Sequence, residues 1–565
     1  MRPTPQSCWK RTANRNPLCI WTLALPLLTL AAQSRAVSIY VDATRPGEPL
    51  KHVWQYYGYD ECNYTTTPDC KALMTDVAEM NAEPAYLRQH FLLNSGDGAA
   101  KLKWGSTNIY TEDPSGAPQY SFDKIDAIFD AVVASGCHPL VEIAFMPKDL
   151  SSRPDPYENS STYRLDGGCF YPPKDYDKWS ELIRNLVSHC AARHKNVEKT
   201  WLWELWNEPN IGYWHGTFDQ YCRLFDHTEQ ALHGVLPDAT LGGPHTAGAP
   251  RFLRNFLNHC ANGTNHVTGE KGTRLDYVGF HAKGGVRLVD GHVRMNLGNQ
   301  LRIHRTGFQI VADFPGYRDT PIIIGEADPD GCAGCPSSKF PERNYRNFPA
   351  YGAYEVATMK YSLDLAKRQN VNLKGVLTWA FMFDGMPWFD GFRTLATNGI
   401  HKPVLNAFKM LGRMTGNKVT LISEGALGLD KILDGGARTG PDINGMAVAD
   451  DKSIKILLWN YQDLLAPAEP TSVKLRVKLP PGFGPKAQVK HYRIDDTHSN
   501  AYTKWLELGS PQNPTESMIA SLKSAMQLQM LKPAEQLEIT NGQVTIDFDL
   551  PASALSQIVL EPRAD

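Results

Sequence analysis

At 565 residues, with 58 Lys and Arg against 60 Asp and Glu, the chain exceeds one ordinary core and is nearly neutral. Without a long run of one sign, nucleic acid and a membrane surface are poor candidate partners, and a neutral or small ligand is the expectation. Aromatic residues at 10% suit sugar stacking and a large core equally, so they select neither.

The N-terminus opens with Arg2, Lys10, Arg11 and Arg15, followed by the apolar run "LCIWTLALPLLTLAA" and small residues at Ser34 and Ala36. This is the pattern of a secretory signal peptide over residues 1–36, and it predicts a secreted or periplasmic protein. The run is shorter than the roughly 20 apolar residues a membrane span needs, so no membrane anchor is expected. Removing that segment takes Cys8 and Cys19 with it and leaves an odd number of cysteines. Cys62 with Cys70, or Cys332 with Cys335, are the local pairs that export would permit. "CAGC" lacks the second Cys pair or clustered His of a zinc site, so no metal is expected there.

An isolated strand, "VSIYVDA", lies in residues 37–52 and is expected to join a second domain. From 53 to 415, short apolar runs alternate with stretches of helical period. The eight runs are "VWQYYG", "AYLRQH", "HPLVEIAF", "TWLWELWNE", "ATLGGPH", "LDYVGFH", "PIIIGE" and "GVLTWAFMF". Between the second and third, "SFDKIDAIFDAVVASG" reads as a helix capped by Ser121, buried through Ile125, Ile128, Phe129 and Val132, and stopped by Gly136. Eight such units predict an α/β fold, a (β/α)8 TIM barrel. After "TGN" the chain becomes a series of short strands with turn signals, predicting a β-sandwich over 416–565.

In such a barrel, chemistry sits where strands end. Asn207 and Glu208 end the fourth run and Glu326 ends the seventh, so two carboxylates are expected to emerge on one rim. Paired carboxylates are what glycoside hydrolysis needs: one protonated to serve the leaving oxygen, one ionised to attack or to activate water. His90 ends the second run, His281 the sixth, and Trp379 lies in the eighth, where its ring is expected to floor a sugar subsite. Lys283 follows His281 and reads equally as a site residue or a solvated lysine. Glu204, His245 and His401 read as structural groups. This chemistry requires no metal and no cofactor.

"ELWNEPN", "LGGPHTAG", "LDYVGFHAKGG" and "PIIIGEADP" resemble glycoside hydrolase family 39 of clan A, which contains β-D-xylosidases and α-L-iduronidases. The likeness continues through "HKPVLNAFKMLG" into "VKLRVKLPPGFGPKAQVKHYRIDDTHSN". It implies a retaining exo-glycosidase with Glu208 as acid/base, Glu326 as nucleophile and Asn207 on the sugar 2-hydroxyl. Its substrate implications diverge. Lys283 matches the lysine that contacts the uronate in iduronidases, and Arg393 in "GFRTL" could face a carboxylate there. By contrast, "LTWAFMFDGMPWFDGFRTLATNGIHKP" is closer to the xylosidase pattern. A β-xylosidase acting on an oligosaccharide or glycoside is the expectation. An iduronidase-like uronide hydrolase and a non-catalytic polysaccharide-binding barrel are the alternatives.

Overall fold

A computed structural model describes residues 36–563; the expected signal peptide, up to Arg35, lies outside the described residues. Eight parallel strands form one sheet, taken in chain order as Tyr56–Tyr59, Tyr86–Gln89, His138–Ile143, Leu202–Leu205, Thr240–Thr246, Tyr277–Lys283, Ile322–Asp328 and Leu373–Val376. The first and eighth meet through Gly58 N–H to Thr378 O at 3.0 Å and Thr378 N–H to Tyr56 O at 3.1 Å, which closes the ring into a TIM barrel. Inward-facing Tyr56, Leu140, Leu202, Tyr277, Ile323 and Leu377 fill one layer of its interior. Helices such as Asp123–Ala134 and Pro349–Gln369 cover the outside.

Two local expectations are corrected. The helix after the second run starts one residue late: its N-cap is Phe122, without a side-chain cap bond, while Ser121 is tied through its N–H to Ile109 O at 3.0 Å. The eighth strand ends at Val376, so Trp379 lies beyond it rather than in it. There the carboxylate of Asp328 accepts from both Trp379 N–H and the Thr378 hydroxyl at 3.0 Å, diverting the backbone from the ladder.

Two further sheets pack face to face as a β-sandwich. In the four-stranded sheet, Val37–Asp42 runs parallel to Thr471–Lys478 and antiparallel to Thr420–Ser423. The facing sheet is built on Asp442–Ala449, Ile454–Tyr461, Lys486–Ile494 and Leu555–Arg563. Ile39, Val41, Leu475 and Val477 from one sheet meet Ile456, Leu458, Val489 and Ile558 from the other. The sandwich also meets the barrel's helices, where Tyr361 and Trp459 both donate to the buried carboxylate of Asp442 at 2.8 and 3.0 Å. Cys332 and Cys335 form a disulfide, whereas Cys62 and Cys70 are buried free thiols. Among the described residues no helix is long and apolar enough to cross a membrane.

Candidate active site

Alternation along the second barrel strand turns Tyr86, Arg88 and His90 inward, one above another. Arg88 is fully buried and is the hub of the site. Its guanidinium forms an ion pair with Glu142 Oε2 at 2.8 Å and donates to Glu204, to Glu326 Oε1 at 3.4 Å and to Asn207 Oδ1 at 3.1 Å. One cation thus orients four groups from three other strands or their ends. The Arg88 guanidinium and the His90 ring also flank Trp379, with centroid distances of 4.8 and 4.2 Å. Trp379 is 2% exposed, about as buried as Asn207 and His90, and its ring packs against Arg88 and His90.

Glu326 faces inward because the seventh strand is bulged. Ile324 pairs with Phe280, but Glu326, not Gly325, pairs with His281. The extra residue breaks the two-residue alternation, so Gly325 and Glu326 share one inward position. Gly325 has to lack a side chain there: a Cβ would lie 2.3 Å from His245 Nδ1 and 3.0 Å from His281 Nε2. Glu208 lies past the end of its strand, where Trp206 and Glu208 both take positive φ, +68° and +43°, on either side of Asn207. The Glu208 N–H donates to His245 O at 3.0 Å, which anchors this strained turn to the neighbouring strand.

These two turns bring the carboxylates together over His281. Its Nδ1 lies 2.9 Å from Glu208 Oε1 and 3.6 Å from Glu326 Oε1, and the three ligating atoms are all within 4.8 Å of one another. Lys283, two residues further on the same face, bonds Glu326 Oε2 at 2.8 Å and Asp328 Oδ2 at 2.7 Å. Burial works against the charge of Glu326, but Lys283, His281, Arg88 and His90 outweigh it and hold its carboxyl well below the usual range. His90 is fixed by Glu142 Oε2 at 2.7 Å, and its other nitrogen faces Glu326 at 3.9 Å. Asn207, Glu208, Glu326, His90, His281 and Lys283 therefore share one rim.

The remaining residues singled out from sequence sit apart from the reacting centre. Glu204 is buried under it, paired with Arg88 and with His245 Nε2 at 2.8 Å. His401 is bound to Asp76 at 2.8 Å away from the rim. Arg393 is sealed within the protein, donating to Asp330 Oδ1 at 3.0 Å and to Trp379 O at 2.9 Å, with Asp328 at 3.5 Å. Sequence reading passed over Arg88, Glu142 and Asp328. A charged residue on the inward face of a barrel strand was the available signal for the first two. Lys103, bonded to Asp60 at 2.5 Å, had no such signal, because a long loop carries it to the end of the first strand.

The sequence matches the model of Glycosyl hydrolases family 39 over residues 37–537. The chain belongs to that family. It is 25% identical over 487 aligned positions to a beta-xylosidase of Caldicellulosiruptor saccharolyticus, covering 83% of this chain and 88% of the relative. It is 25% identical over 577 positions to the alpha-L-iduronidase of Mus musculus, covering 94% and 82%. A monomeric beta-xylosidase from Caulobacter crescentus CB15 superposes with a TM-score of 0.73 at 22% identity, covering 93% of this chain and all of that one. The protein is a glycoside hydrolase with a family 39 barrel, and its substrate is a carbohydrate.

Proposed function

We propose that this family 39 enzyme is a retaining exo-β-D-xylosidase in which Glu326 is the nucleophile and Glu208 the acid/base. The observation that carries the reading is the pair of carboxylates meeting over His281 with their facing oxygens within 4.8 Å. Retaining enzymes hold the two carboxyl groups about 5–5.5 Å apart, and inverting ones about 6.5–9.5 Å to admit a water between them. In the first step Glu326, kept ionised by its cations, attacks the anomeric carbon while Glu208 gives its proton to the leaving oxygen. In the second, Glu208 takes a proton from water, which attacks the anomeric carbon and releases Glu326. Asn207 turns its Oδ1 to Arg88. Its amide NH2 is therefore left for the sugar 2-hydroxyl.

A neutral glycone is supported by the charge inventory. Lys283 already serves two carboxylates and Arg393 is 1% exposed, so neither is a free clamp for a uronate. One observation favours a uronide instead: Lys283, with 19% of its side chain exposed, stands at the nucleophile. The deciding experiment compares an aryl β-D-xyloside with an aryl α-L-iduronide, with Glu326→Ala as control. Xyloside turnover, lost on the order of 10⁴-fold or more in the variant, is expected. The first-formed sugar, followed by NMR, should be the β-anomer. Iduronide preference would reverse the glycone, and an α-anomer would reject double displacement. The basic and apolar N-terminus supports an exported enzyme, which N-terminal sequencing of the mature protein would test.

A further inference from the structure

Outside the barrel rim, a second group of ligating side chains gathers in the helical layer. Asp226 lies on the buried face of the helix Phe218–Val235, His259 on the helix Arg251–Asn262, and His266 on the segment that leads into the sixth barrel strand. Asp226 is fully buried. His259 Nε2 is 3.0 Å from its Oδ1, and His266 Nδ1 is 2.8 Å from its Oδ2.

Charge makes the arrangement unusual. A buried carboxylate is kept charged by hydrogen bonds or by a cation close by. Among the described residues the ion-pair partners of Asp226 are these two histidines, with no Lys or Arg. With neutral imidazoles the charge is held by hydrogen bonds alone, from Thr273, the His266 N–H and the rings, whereas a dication would neutralise it. The surroundings also resemble the outer sphere of a metal centre. The Thr273 hydroxyl donates to Asp226 Oδ1 at 2.6 Å and the His266 N–H to Oδ2 at 2.8 Å, which fixes the carboxylate. The far nitrogen of His266 lies 3.3 Å from Asp219 Oδ1, the carboxylate–histidine relay that orients a metal-bound ring.

We propose that Asp226, His259 and His266 bind one divalent transition metal of the zinc class, with water completing the coordination. The three ligand atoms lie within 4.8 Å of one another. Ligands about 2.0–2.1 Å from a tetrahedral zinc are about 3.3 Å apart; with Oδ2 as the Asp226 ligand atom, His266 Nδ1 lies 2.8 Å and His259 Nε2 3.2 Å from it, so only a small outward adjustment is needed. The side chains of His266 and His259 are 26% and 10% exposed, so an ion has a route in. The metal would pin two helices and the segment entering the strand that carries His281 and Lys283. Its role is to stabilise the fold, and hydrolysis does not pass through it.

The test is a titration of the chelator-treated full chain with zinc chloride, followed by calorimetry and thermal unfolding. One equivalent should bind, with a rise in Tm of about 2 °C or more at saturating metal and no loss of glycosidase turnover. Asp226→Asn and His259→Ala should each abolish the binding and the shift while hydrolysis continues. Binding at Glu208, His281 and Glu326 instead would reveal itself by inhibiting hydrolysis, and would overturn the proposal. So would zinc uptake unchanged in both variants, or no uptake by the wild type. Cobalt(II) added to the wild type supplies a readout independent of variant folding: an intense tetrahedral absorption is expected without inhibition, and its absence counts against the site.

Discussion

Between the two sheets of the sandwich, Ile39, Val41, Leu475 and Ile456 are buried against one another and need only matching shapes. At the rim of the barrel, Arg88, Glu142, Glu204 and Glu326 are nearly as inaccessible, and each needs a partner of opposite charge. The sandwich stabilises itself by area removed from water, a non-directional term that tolerates exchange of similar side chains. The rim stabilises itself by directional pairing, which fails as a unit when one member is removed. Catalysis needs the second kind of interior, because only a desolvated, prearranged cluster can hold one carboxylate ionised beside another.

The sharpest way to break this contrast is Arg88→Met. It leaves Glu142 and Glu204 buried without their cation, so a loss of about 3–5 kcal/mol in denaturant unfolding is expected, with activity falling in the molecules that remain folded. Leu475→Ala in the sandwich slot should cost a similar amount, about 2–5 kcal/mol, but leave kcat per folded molecule unchanged. If both variants lost activity in step with stability alone, the division between the two interiors would not stand. Gly325→Ala adds a methyl group where a Cβ meets His245 and His281. A fall in kcat of roughly 10²-fold is expected, since displacement of the nucleophile by about 1 Å is enough, together with a loss of about 1–3 kcal/mol because the buried His245 has to shift.

The smallest effect is on pH dependence. The carboxyl of Glu326 sits below its ordinary 4.5 in the folded enzyme, so its pairing stabilises the fold fully above about pH 4.5. That contribution is lost as pH falls from there through the folded value. The acid limb of kcat/KM should accordingly lie below pH 4.5. Lys283→Met removes the strongest opposing charge and should raise that limb. An unmoved limb would assign the poise of Glu326 to Arg88 and the histidines instead.

Much of this enzyme was legible in its residues. The alternation of apolar runs and helical stretches specified the barrel, because parallel strands buried on both faces leave continuous β-branched segments in the sequence. The motifs around Glu208, His281 and Glu326 located the rim, because strand ends are where a barrel exposes polar side chains. Element ends were less legible. The ends at Ser121 and Trp379 were not legible because they depend on distant partners, the Ile109 carbonyl for the Ser121 N–H and the Asp328 carboxylate for the Trp379 N–H.

What the sequence by itself determined was the fold class, the family and the strand ends from which the two carboxylates emerge. Only the tertiary structure decided that they face each other. Strict alternation would turn Gly325 inward and Glu326 away; a bulge at that one position brings Glu326 inward as well, opposite His281 of the neighbouring strand. The partners of Arg88 were likewise settled by closure of the ring. Its guanidinium joins residues more than 100 positions away in the chain, and such pairings follow from packing and leave no local pattern to read.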